Sequence, residues 1–539
     1  VEPTALNSNL FPAKGNEHLV VGCAILPDSF DPDNFMQVNP WSNPMNWDMQ
    51  VQLFDTFFQY GTISKSQALV QDTGHFSSML ANHIESNEDG YKYRISLQEG
   101  IRSEYGHELT ADDVYWSWQA VKATPGALQP PDTHWLDTGD PGEVGRWIAL
   151  TGSAPVETNP VSVIDKYTVE FNLREPSLAF PHILTMALPP IYDSTEAKKH
   201  ATEADPFARK WLMEHSCGFS PYYLHSKTDE SLILKARERY KRINPKIKTI
   251  EYVKINPEEY VDSLIDGSID LFRSPSPKEA DAIKQLKGPV VFEASGNQQL
   301  SLQMDIKISP YNDLHFRKAL MHLIPYESII KEIYLGYARP WNGVVSDVNP
   351  AYQDFFNGET NFDLAKKELA MSAYSNESLE LYYPQESILQ KQIVSAIIEN
   401  AAKINLSIKS RPVSGEKMST MQKKFQIPFA IAGGGHRCAE MSYAMPHDFG
   451  DRIYGITNWI DYNNEDLNKM IEDIKFNTDA NERLNLIKKS HTIVANDLPW
   501  IFIAQPSYLV AHKPGLQNIS WRSRASGPQA YADLCWEYS

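Results

Sequence analysis

The feature that most constrains the fold is a regular change between strand-like and helix-like apolar spacing. In residues 378–413 the segments SLELYYP, ILQKQIVSAIIENAAKI and NLSIKSRPV have in turn the spacing of a strand, a helix and a strand. This order is typical of a βαβ unit. Residues 17–25 (EHLVVGCAI) have the continuous apolar character of a buried strand. The chain is therefore predicted to be an α/β protein.

A strand followed by a capped helix is predicted in the first quarter of the chain. Residues 91–98 (YKYRISLQ) alternate in the manner of a strand. Thr110 can cap the next helix, and Asp113 three residues later can bond back to it. The helix then carries Trp116 and Trp118, which are too bulky for an ordinary solvated helix. We expect this helix to pack against a core.

Length and pattern together predict two lobes. A chain of 539 residues is long enough for two to four domain-sized units. Near residue 290 the pattern restarts with the apolar strand stretch PVVFEASGNQQLSLQMDI, and a last strand pair, LPWIFIAQPSYLVAHKP, lies near the C-terminus. We therefore expect two α/β lobes, with the chain returning to the first lobe at its end.

Composition excludes several classes of partner. The net charge is −18, which disfavours nucleic acid and anionic lipid because both reward lysine and arginine. No run of 18 apolar residues occurs, so no membrane-spanning helix is predicted. The chain begins without methionine or a basic, apolar leader, as expected for a mature N-terminus after a removed export signal or for a trimmed chain. One or two disulfides are possible, with the pairing open, among Cys23, Cys217, Cys438 and Cys535.

No familiar catalytic motif occurs in the sequence. The patterns G-x-S-x-G, H-E-x-x-H, G-x-G-x-x-G and the P-loop are all missing. The most suggestive cluster is GGGHRCAEMSYAMPHD (residues 433–448), whose possible metal ligands are His436, Cys438, Glu440 and His447. Their spacing matches no common zinc pattern. The other interpretations are a tight glycine loop after a strand and a ligand-binding loop with Arg437 and Glu440 as charged anchors, and we favour the ligand-binding loop.

Tryptophans in loop-like contexts form a second candidate site. They stand beside proline, glycine or asparagine, and they are Trp41, Trp47, Trp341, Trp459 and Trp521. Core packing competes with this interpretation for each of them, and it is our prediction for Trp116, Trp118, Trp211 and Trp500. For the loop set we expect aromatic walls of a cleft, since pockets combine apolar walls with a few polar groups.

Several stretches follow one another in the order of a known family's motifs. HIESNEDGYKYRISLQEGIRSEYGHELTADDVYWSW is similar to the pattern E-D-G-x-x-Y-x-F-x-L-R-x-G-V-x-F-x-D-G-x-P-L-T-A-x-D-V. CGFSPYYL resembles G-T-G-P-Y, and DGSIDLF resembles G-E-V-D. The block LSLQMDIKISPYNDLHFRKALMHLIPYESIIKEIYLGYARPWNG and the ending DLPWIFIAQPSYLVAHKPGLQNI also have counterparts. In this order they resemble the family 5 extracellular solute-binding proteins of the dipeptide and oligopeptide type.

The resemblance implies the two-lobed fold of a type II periplasmic-binding protein (cluster C) with an extra subdomain in lobe I. Lobe II of such a protein faces lobe I across a cleft, and crossing strands act as the hinge. We expect crossings near residues 294–300 and 500–508. The expected bounds are 1–48, 180–293 and 507–539 for the lobe I core, 49–179 for the extra subdomain and 294–506 for lobe II.

The function implied by the resemblance is capture of a small peptide or peptide-like solute and its delivery to the permease subunits of an ABC importer. The protein would be a periplasmic monomer without cofactor, metal or catalytic residue and without a nucleic-acid partner. Asp313 and Arg317 would hold a lobe II helix instead of contacting ligand. The residues expected to bind the solute are Asp28, Phe30, Trp41, Trp47, Trp341, His436, Arg437, Glu440, Trp459 and Trp521.

The solute class stays open because the sequence departs from the family pattern. The segment 62–78 is longer than usual, and the usual D-P of the ligand loop stands as MPHD. Glu440 is the nearest candidate for the acidic residue that meets a peptide's amino group in peptide-binding members. Loop tryptophans suit sugar faces, so the first alternative is an oligosaccharide or opine-like sugar conjugate. Two further alternatives are a metal-dependent enzyme built on residues 436–447 and a binding protein that feeds no transporter.

Overall fold

The structure is a computed structural model. The residues that it describes are 17–32, 43–65, 68–88, 90–122, 161–173, 176–186, 190–435, 440–450, 458–522 and 530–537. Within these ranges, no helix combines the length and apolar character needed to cross a membrane. Cys23, Cys217 and Cys535 are free thiols, and Cys438 lies outside the described residues.

The strands occur in both predicted lobes of the chain. In chain order they are β1 (His18–Cys23), β2 (Phe58–Lys65), β3 (Ala68–Ser78), β4 (Ala81–Ser86), β5 (Lys92–Leu97), β6 (Val161–Asp165), β7 (Thr168–Asn172), β8 (Tyr222–Lys227), β9 (Ser231–Ala236), β10 (Thr249–Lys254), β11 (Leu271–Arg273), β12 (Val290–Ala294), β13 (Gln299–Met304), β14 (Ala338–Pro340), β15 (Leu379–Pro384), β16 (Ile408–Val413), β17 (Phe429–Gly434), β18 (Trp500–Pro506), β19 (Tyr508–His512), β20 (Leu516–Gln517), β21 (Ser520–Trp521) and β22 (Cys535–Trp536).

The helices lie between these strands. In chain order they are α1 (Pro44–Leu53), α2 (Ala111–Lys122), α3 (Phe180–Ile183), α4 (Ser194–Ala197), α5 (Arg209–Leu212), α6 (Tyr260–Asp266), α7 (Pro277–Lys284), α8 (Leu314–Leu323), α9 (Tyr326–Ser328), α10 (Phe362–Met371), α11 (Ile388–Ala402), α12 (Gly415–Lys423), α13 (Met441–Phe449), α14 (Glu465–Phe476) and α15 (Ala480–Asp497). A π-helical turn (Ile329–Ile333) follows α9, and 3₁₀ turns occupy Lys198–His200, Pro257–Glu259 and Tyr531–Asp533.

The first of two large sheets has seven strands in the order β12–β19–β11–β1–β10–β9–β8. The almost wholly buried β1 pairs in parallel with β10 and β11, as its unbroken apolar sequence predicts. The other pairings are antiparallel. Because β19 pairs with both β11 and β12, the C-terminal part of the chain returns to the sheet in which β1 lies.

The second large sheet has six strands in the order β14–β18–β13–β17–β15–β16. All six residues of β13 are buried, so this strand is the centre of the lobe II core. β15 and β16 pair in parallel, and α11 connects them. The βαβ unit predicted for residues 378–413 is therefore confirmed.

Two chain segments connect the large sheets. β12 ends at Ala294 in the seven-stranded sheet, and β13 begins at Gln299 in the six-stranded sheet. In the return direction, β18 ends at Pro506 and β19 begins at Tyr508. Both crossings lie where the sequence predicts them. We call the seven-stranded part lobe I and the six-stranded part lobe II below, while the domain bounds themselves stay predictions.

A four-stranded antiparallel sheet, β4–β5–β7–β6, packs with α2 as a separate layer. Half of the predicted cap of α2 is confirmed: Asp113 Oδ2 accepts from the Thr110 backbone N–H at 2.8 Å and from the Thr110 hydroxyl at 3.0 Å, while the Asp113 backbone N–H donates to the Thr110 carbonyl and not to its side chain. Trp118 is 1% exposed and stands edge-on to Phe171. The other Asp113 oxygen accepts from the backbone N–H and the hydroxyl of Ser194, which ties this layer to α4.

The sequence of residues 49–61 (MQVQLFDTFFQYG) predicts a helix over this whole segment, and the structure differs from that prediction. α1 ends at Leu53, and the chain continues as β2, which pairs with β3 in a long antiparallel hairpin. Strand pairing over 58–78 depends on residues outside the predicted window, so the spacing within the window does not reveal it. This hairpin contains the long segment 62–78, and β21 joins it in parallel beside β3.

Candidate functional site

Side chains from the two lobes meet at His182 and Glu440. His182 belongs to the short helix α3, which carries Pro181 in its first turn. Glu440 directly precedes α13, and its carbonyl accepts from the backbone N–H of Tyr443 and of Ala444 at 3.1 Å each. His182 Nε2 lies 3.7 Å from Glu440 Oε2. The contact joins a short helix on the lobe I side to the start of a lobe II helix.

The long hairpin supplies the other neighbours of His182. The Tyr60 hydroxyl lies 2.8 Å from His182 Nδ1. The Phe76 ring stacks on Tyr60, with centroids 5.6 Å apart, and stands edge-on to the His182 imidazole at 5.0 Å. Because a carboxylate only accepts hydrogen bonds, a neutral His182 has its proton on Nε2, facing Glu440, while Nδ1 accepts from the Tyr60 hydroxyl.

Arg483 binds the other oxygen of Glu440. From α15 it donates through Nη2 to Glu440 Oε1 and through Nε to the Ile474 carbonyl at 3.0 Å. The Glu440 side chain is only 10% exposed. Burial lowers the pKa of His182, the Glu440 carboxylate opposes this shift, and Arg483 adds to it. His182 is therefore predominantly neutral at pH 7.

An apolar contact accompanies the polar one. Tyr443, on the first turn of α13, packs in one buried cluster with Ala179, Ile183 and Met186, which flank His182 in sequence. Tyr443 is 9% exposed. Polar and apolar groups of both lobes therefore close on each other at the same place.

The first crossing passes close to a predicted ligand residue, Trp521. A Cβ atom at Gly296 would lie 3.1 Å from Trp521 Nε1, so a side chain at this position would have to move the indole by a few tenths of an ångström. From lobe II, Arg339 Nη2 donates to the Gly296 carbonyl at 3.1 Å. Trp521 is 1% exposed, and its indole N–H has no hydrogen-bond partner within the part of the chain that the structure describes. The indole therefore packs on the hinge of the two lobes.

The lobe II loop that follows β17 also reaches this crossing. A Cβ atom at Gly435 would lie 2.7 Å from the Asn297 carbonyl oxygen. Gly435 is the last described residue before the predicted ligand residues His436 and Arg437, which lie outside the described residues together with Trp41. Of the possible metal-ligand cluster, Cys438 and the side chain of His447 are also outside them. Elsewhere in the described ranges, no three His, Cys, Asp or Glu side chains converge in a way that would hold a metal.

Trp341 and Trp459 lie together in lobe II. Both belong to one buried cluster, at 1% and 4% exposure. The Trp341 Nε1 donates to the Val345 carbonyl at 3.0 Å, and its ring stands edge-on to Phe502 at 4.6 Å. The structure therefore brings these two predicted residues together, within a packed wall of lobe II.

Three of the predicted ligand residues, Asp28, Phe30 and Trp47, lie in the described parts of residues 28–47 and have different environments. Asp28 is exposed, and its Oδ1 accepts from Asn46 Nδ2 at 2.7 Å, which fastens the loop to α1. Phe30 is 3% exposed in the lobe I core, and its backbone N–H donates to the Met213 carbonyl. Trp47 is 2% exposed within α1. Of the three, only Asp28 presents a solvent-accessible side chain.

Three residues of the contact between lobes carry no sequence prediction: Tyr60, His182 and Arg483. His182 stands in the apolar stretch SLAFPHILTM, where a titratable side chain is unusual, so a local signal was present. Tyr60 and His182 are 122 positions apart, and only tertiary folding brings them together. The contact can hold the two lobes together reversibly, because between the lobes it consists of the approach of His182 to Glu440 and the apolar packing of Tyr443, without any covalent link.

Comparison with known proteins agrees with this architecture. The H. pylori periplasmic binding protein DppA, solved with the peptide STSA, superposes at a TM-score of 0.78 with 19% identity, covering 96% of this chain and 98% of that one. AgaA of A. tumefaciens R10, solved with agropinic acid, superposes at 0.73 with 18% identity, covering 93% and 94%. Both show the two-lobed type II periplasmic-binding-protein fold that the sequence predicts.

Sequence comparison reaches the family itself. The glutathione-binding protein GsiB of Salmonella typhi is 21% identical over 453 residues, which cover 82% of this chain and 83% of GsiB. A family model described as bacterial extracellular solute-binding proteins, family 5 middle, matches residues 75–454, more than half of the chain. The predicted resemblance is confirmed: the chain belongs to the family 5 bacterial extracellular solute-binding proteins.

Proposed function

We propose that this protein captures a small peptide or peptide-like solute between its lobes and delivers it to the permease of an ABC importer. The single observation that carries the proposal is the contact of His182 with Glu440 across two lobes that share two crossing segments. Two lobes on such a hinge have open and closed arrangements, and a solute that touches both lobes favours the closed one.

Buried charge at the contact supports a polar solute. Glu440, Arg483 and His182 are three titratable side chains within one largely buried group. A peptide or peptide-like compound carries amino, amide and carboxylate groups that match such a mixture of donors and acceptors. The relatives support the same class, since one is named for glutathione and another was solved with a tetrapeptide.

The second candidate solute is an opine-like sugar conjugate. AgaA, solved with agropinic acid, superposes over nearly its whole length. An oligosaccharide is the other solute included in this second candidate class.

The proposed setting follows from the family. Family members are extracellular solute-binding proteins, so we infer that the chain works outside the cytoplasm as a monomer, with permease subunits as its partners. In this role the residues act by binding and closing, so we propose no catalysis, cofactor or metal.

The deciding experiment is native mass spectrometry of the purified protein, followed by mass spectrometry of the denatured sample. Released peptide masses support the proposal, and one sugar-conjugate mass replaces it with the second candidate. If the protein is empty, thermal-shift titration with glutathione, Ser-Thr-Ser-Ala and agropinic acid follows.

A matched pair of variants then tests the site. His182→Gln should weaken binding of the identified solute, whereas the exposed His225→Gln should not. If His182→Gln leaves the affinity unchanged, the solute does not bind at the contact of the lobes, and the proposal is contradicted.

A further inference from the structure

A cavity lies away from the contact of the lobes. It has a volume of about 760 Å³ and opens between residues 100–105 and residues 215–241. We name it the Arg237 cavity, after the buried arginine in its wall. None of its lining residues belongs to lobe II or to the group around His182. Its volume is in the range of small-molecule sites.

We propose that the Arg237 cavity binds a small aromatic carboxylate, independently of the solute held between the lobes. The proposal rests on the charge of the lining, on the state of one buried acid and on the apolar walls.

Four cations converge on this cavity in a chain whose net charge is −18: Arg102, Arg237, Arg239 and Lys241. Arg237 is 8% exposed, and it donates from Nη1 to the Arg102 carbonyl and from Nη2 to the Gly218 carbonyl, both at 2.8 Å. Its two terminal nitrogens are therefore held by backbone oxygens, which carry no net charge.

The other cations are also left without a contacting carboxylate. Arg102 Nη1 donates to the Gly106 carbonyl at 2.8 Å, and Lys241 Nζ donates to the Glu99 carbonyl. Within the described parts of the chain, none of the four forms an ion pair with an acid. Positive charge in a recess with low-dielectric walls raises the local concentration of anions. The cavity is therefore a site with excess positive charge on a protein of negative net charge.

The lining also holds two acids, the exposed Glu238 and the half-buried Glu104, which the four cations outnumber, and Glu104 offsets the positive charge only in part at neutral pH. Burial raises the pKa of Glu104 to about 7, although Arg237 and the Ser216 hydroxyl act in the opposite direction. The Ser216 hydroxyl lies 2.8 Å from Glu104 Oε1. A protonated Glu104 can donate a hydrogen bond to a bound carboxylate, and it does not repel one.

The walls favour a flat apolar body on the ligand. Tyr105, Tyr223 and Leu224 line the cavity, and the Tyr105 hydroxyl donates to the Ser216 carbonyl at 3.2 Å. At the rim, Arg239 has a φ of 56°, a left-handed backbone that arginine rarely adopts. Such backbone outliers gather at ligand sites. The proposed ligand therefore combines a ring, for contact with the tyrosines, with a carboxylate, for contact with the cations of the same lining.

The test uses ¹⁹F NMR of 4-fluorobenzoate with the full chain, and 4-fluorobenzyl alcohol serves as the uncharged analogue. We expect the benzoate resonance to broaden and shift, with at least about tenfold weaker binding of the alcohol. The double variant Arg239→Glu/Lys241→Glu changes exposed rim residues and should weaken benzoate binding about tenfold or more. The control Lys366→Glu/Lys367→Glu makes the same charge change on an exposed face of α10 and should leave binding unchanged.

The pH dependence supplies a second readout. Benzoate binding should weaken as pH rises above 7, because Glu104 then carries a charge that repels the ligand, and Glu104→Gln should flatten this dependence. No binding to the wild-type chain, equal binding of the alcohol, or benzoate binding that survives the Arg239→Glu/Lys241→Glu change would overturn the proposal. Circular dichroism of each variant shows that a loss of binding is not a loss of fold.

Discussion

Arg273 in lobe I and Arg317 in lobe II are two largely buried arginines whose charges are compensated in different ways. In lobe I, Arg273 donates from Nη1 to Asp48, whose side chain is fully buried and also accepts from the Tyr252 hydroxyl at 2.8 Å. In lobe II, Arg317 donates to three backbone carbonyls, those of Tyr311, Asp497 and Leu498. The role predicted for Arg317, holding a lobe II helix instead of a ligand, agrees with these contacts.

The pKa values of the two arginines move in opposite directions. Burial acts to lower the pKa of Arg273, but the Asp48 carboxylate raises it above the ordinary value. Burial lowers the pKa of Arg317, while Asp497 and Asp313 act in the opposite direction without reversing the shift. A contacting carboxylate therefore stabilises the buried cation more than carbonyls do, although the carbonyls at the C-terminal end of α15 favour positive charge.

The comparison teaches which of these two arginines depends on a single charged partner. Removing Arg273 leaves the buried Asp48 carboxylate without its cation, whereas removing Arg317 leaves neutral carbonyls. An uncompensated buried charge costs more than an unsatisfied polar group. The following predictions test this difference, in order of decreasing effect.

Arg273→Met should cost about 3–5 kcal/mol of lobe I stability, because Asp48 is left buried and unpaired. Hydrogen exchange by mass spectrometry measures it, with faster exchange expected in β1 and β10 and little change in β13. The double variant Asp48→Asn/Arg273→Met should recover part of the loss. Equal losses in the single and double variants would mean that the unpaired charge is not the cause.

Arg317→Met should cost about 2 kcal/mol, because three carbonyls lose a donor but no carboxylate is stranded. Exchange should increase in α8 and near the end of α15, with β1 unaffected. Arg317→Lys keeps the charge and at least one bond, so its loss should be smaller. A loss in Arg317→Met as large as that in Arg273→Met would remove the distinction between the lobes.

Helix caps give a matched test at about 1 kcal/mol. Ser276 caps α7 in lobe I within a capping box completed by Glu279, whereas Ser387 caps α11 in lobe II through its side chain alone. Ser276→Ala and Ser387→Ala should each cost about 1 kcal/mol in urea unfolding. Glu279→Ala should add a further cost in lobe I, while Gln390→Ala, at the equivalent position of α11, should add none.

The smallest effect should come from His182, where the two lobes meet. Its pKa is lower in the folded chain than in the unfolded chain, mainly because of burial. The unfolded state then binds more protons below about pH 6.5, so the contribution of His182 to stability is full above that pH and declines as the pH falls. Thermal unfolding between pH 5 and 8 should show a weaker acid dependence in His182→Gln than in the wild-type chain. The exposed His225→Gln should keep the wild-type dependence.

Local sequence was sufficient to predict the elements that depend on residues close together in the chain. The start of α2 is marked by the hydrogen bond between Thr110 and Asp113, which are three positions apart. The buried strand β1 is predicted by its unbroken apolar sequence. The βαβ unit at residues 378–413 and both crossings also lie where the sequence predicts them. The cap, the strand and the βαβ unit depend on neighbours in the chain, which periodicity and capping can report, whereas the crossings were predicted from the family resemblance.

The hairpin and the site depended on distant partners. β2 forms because residues 68–78 pair with it, and the helix predicted over 49–61 therefore ends at Leu53. Glu440 was among the predicted residues, but its partners His182 and Arg483 come from other parts of the chain. The predicted ligand set as a whole stays a prediction, with Trp41, His436 and Arg437 outside the described residues.

By itself the sequence determined the fold class, the two lobes, the crossings and the family, because each depends on the order of local patterns along the chain. Only the tertiary structure decided which side chains meet: Tyr60 with His182, Glu440 with Arg483, and four cations around one cavity. Burial, and with it the lowered pKa of His182 and the raised pKa of Glu104, arises when segments far apart in sequence exclude water from the same place.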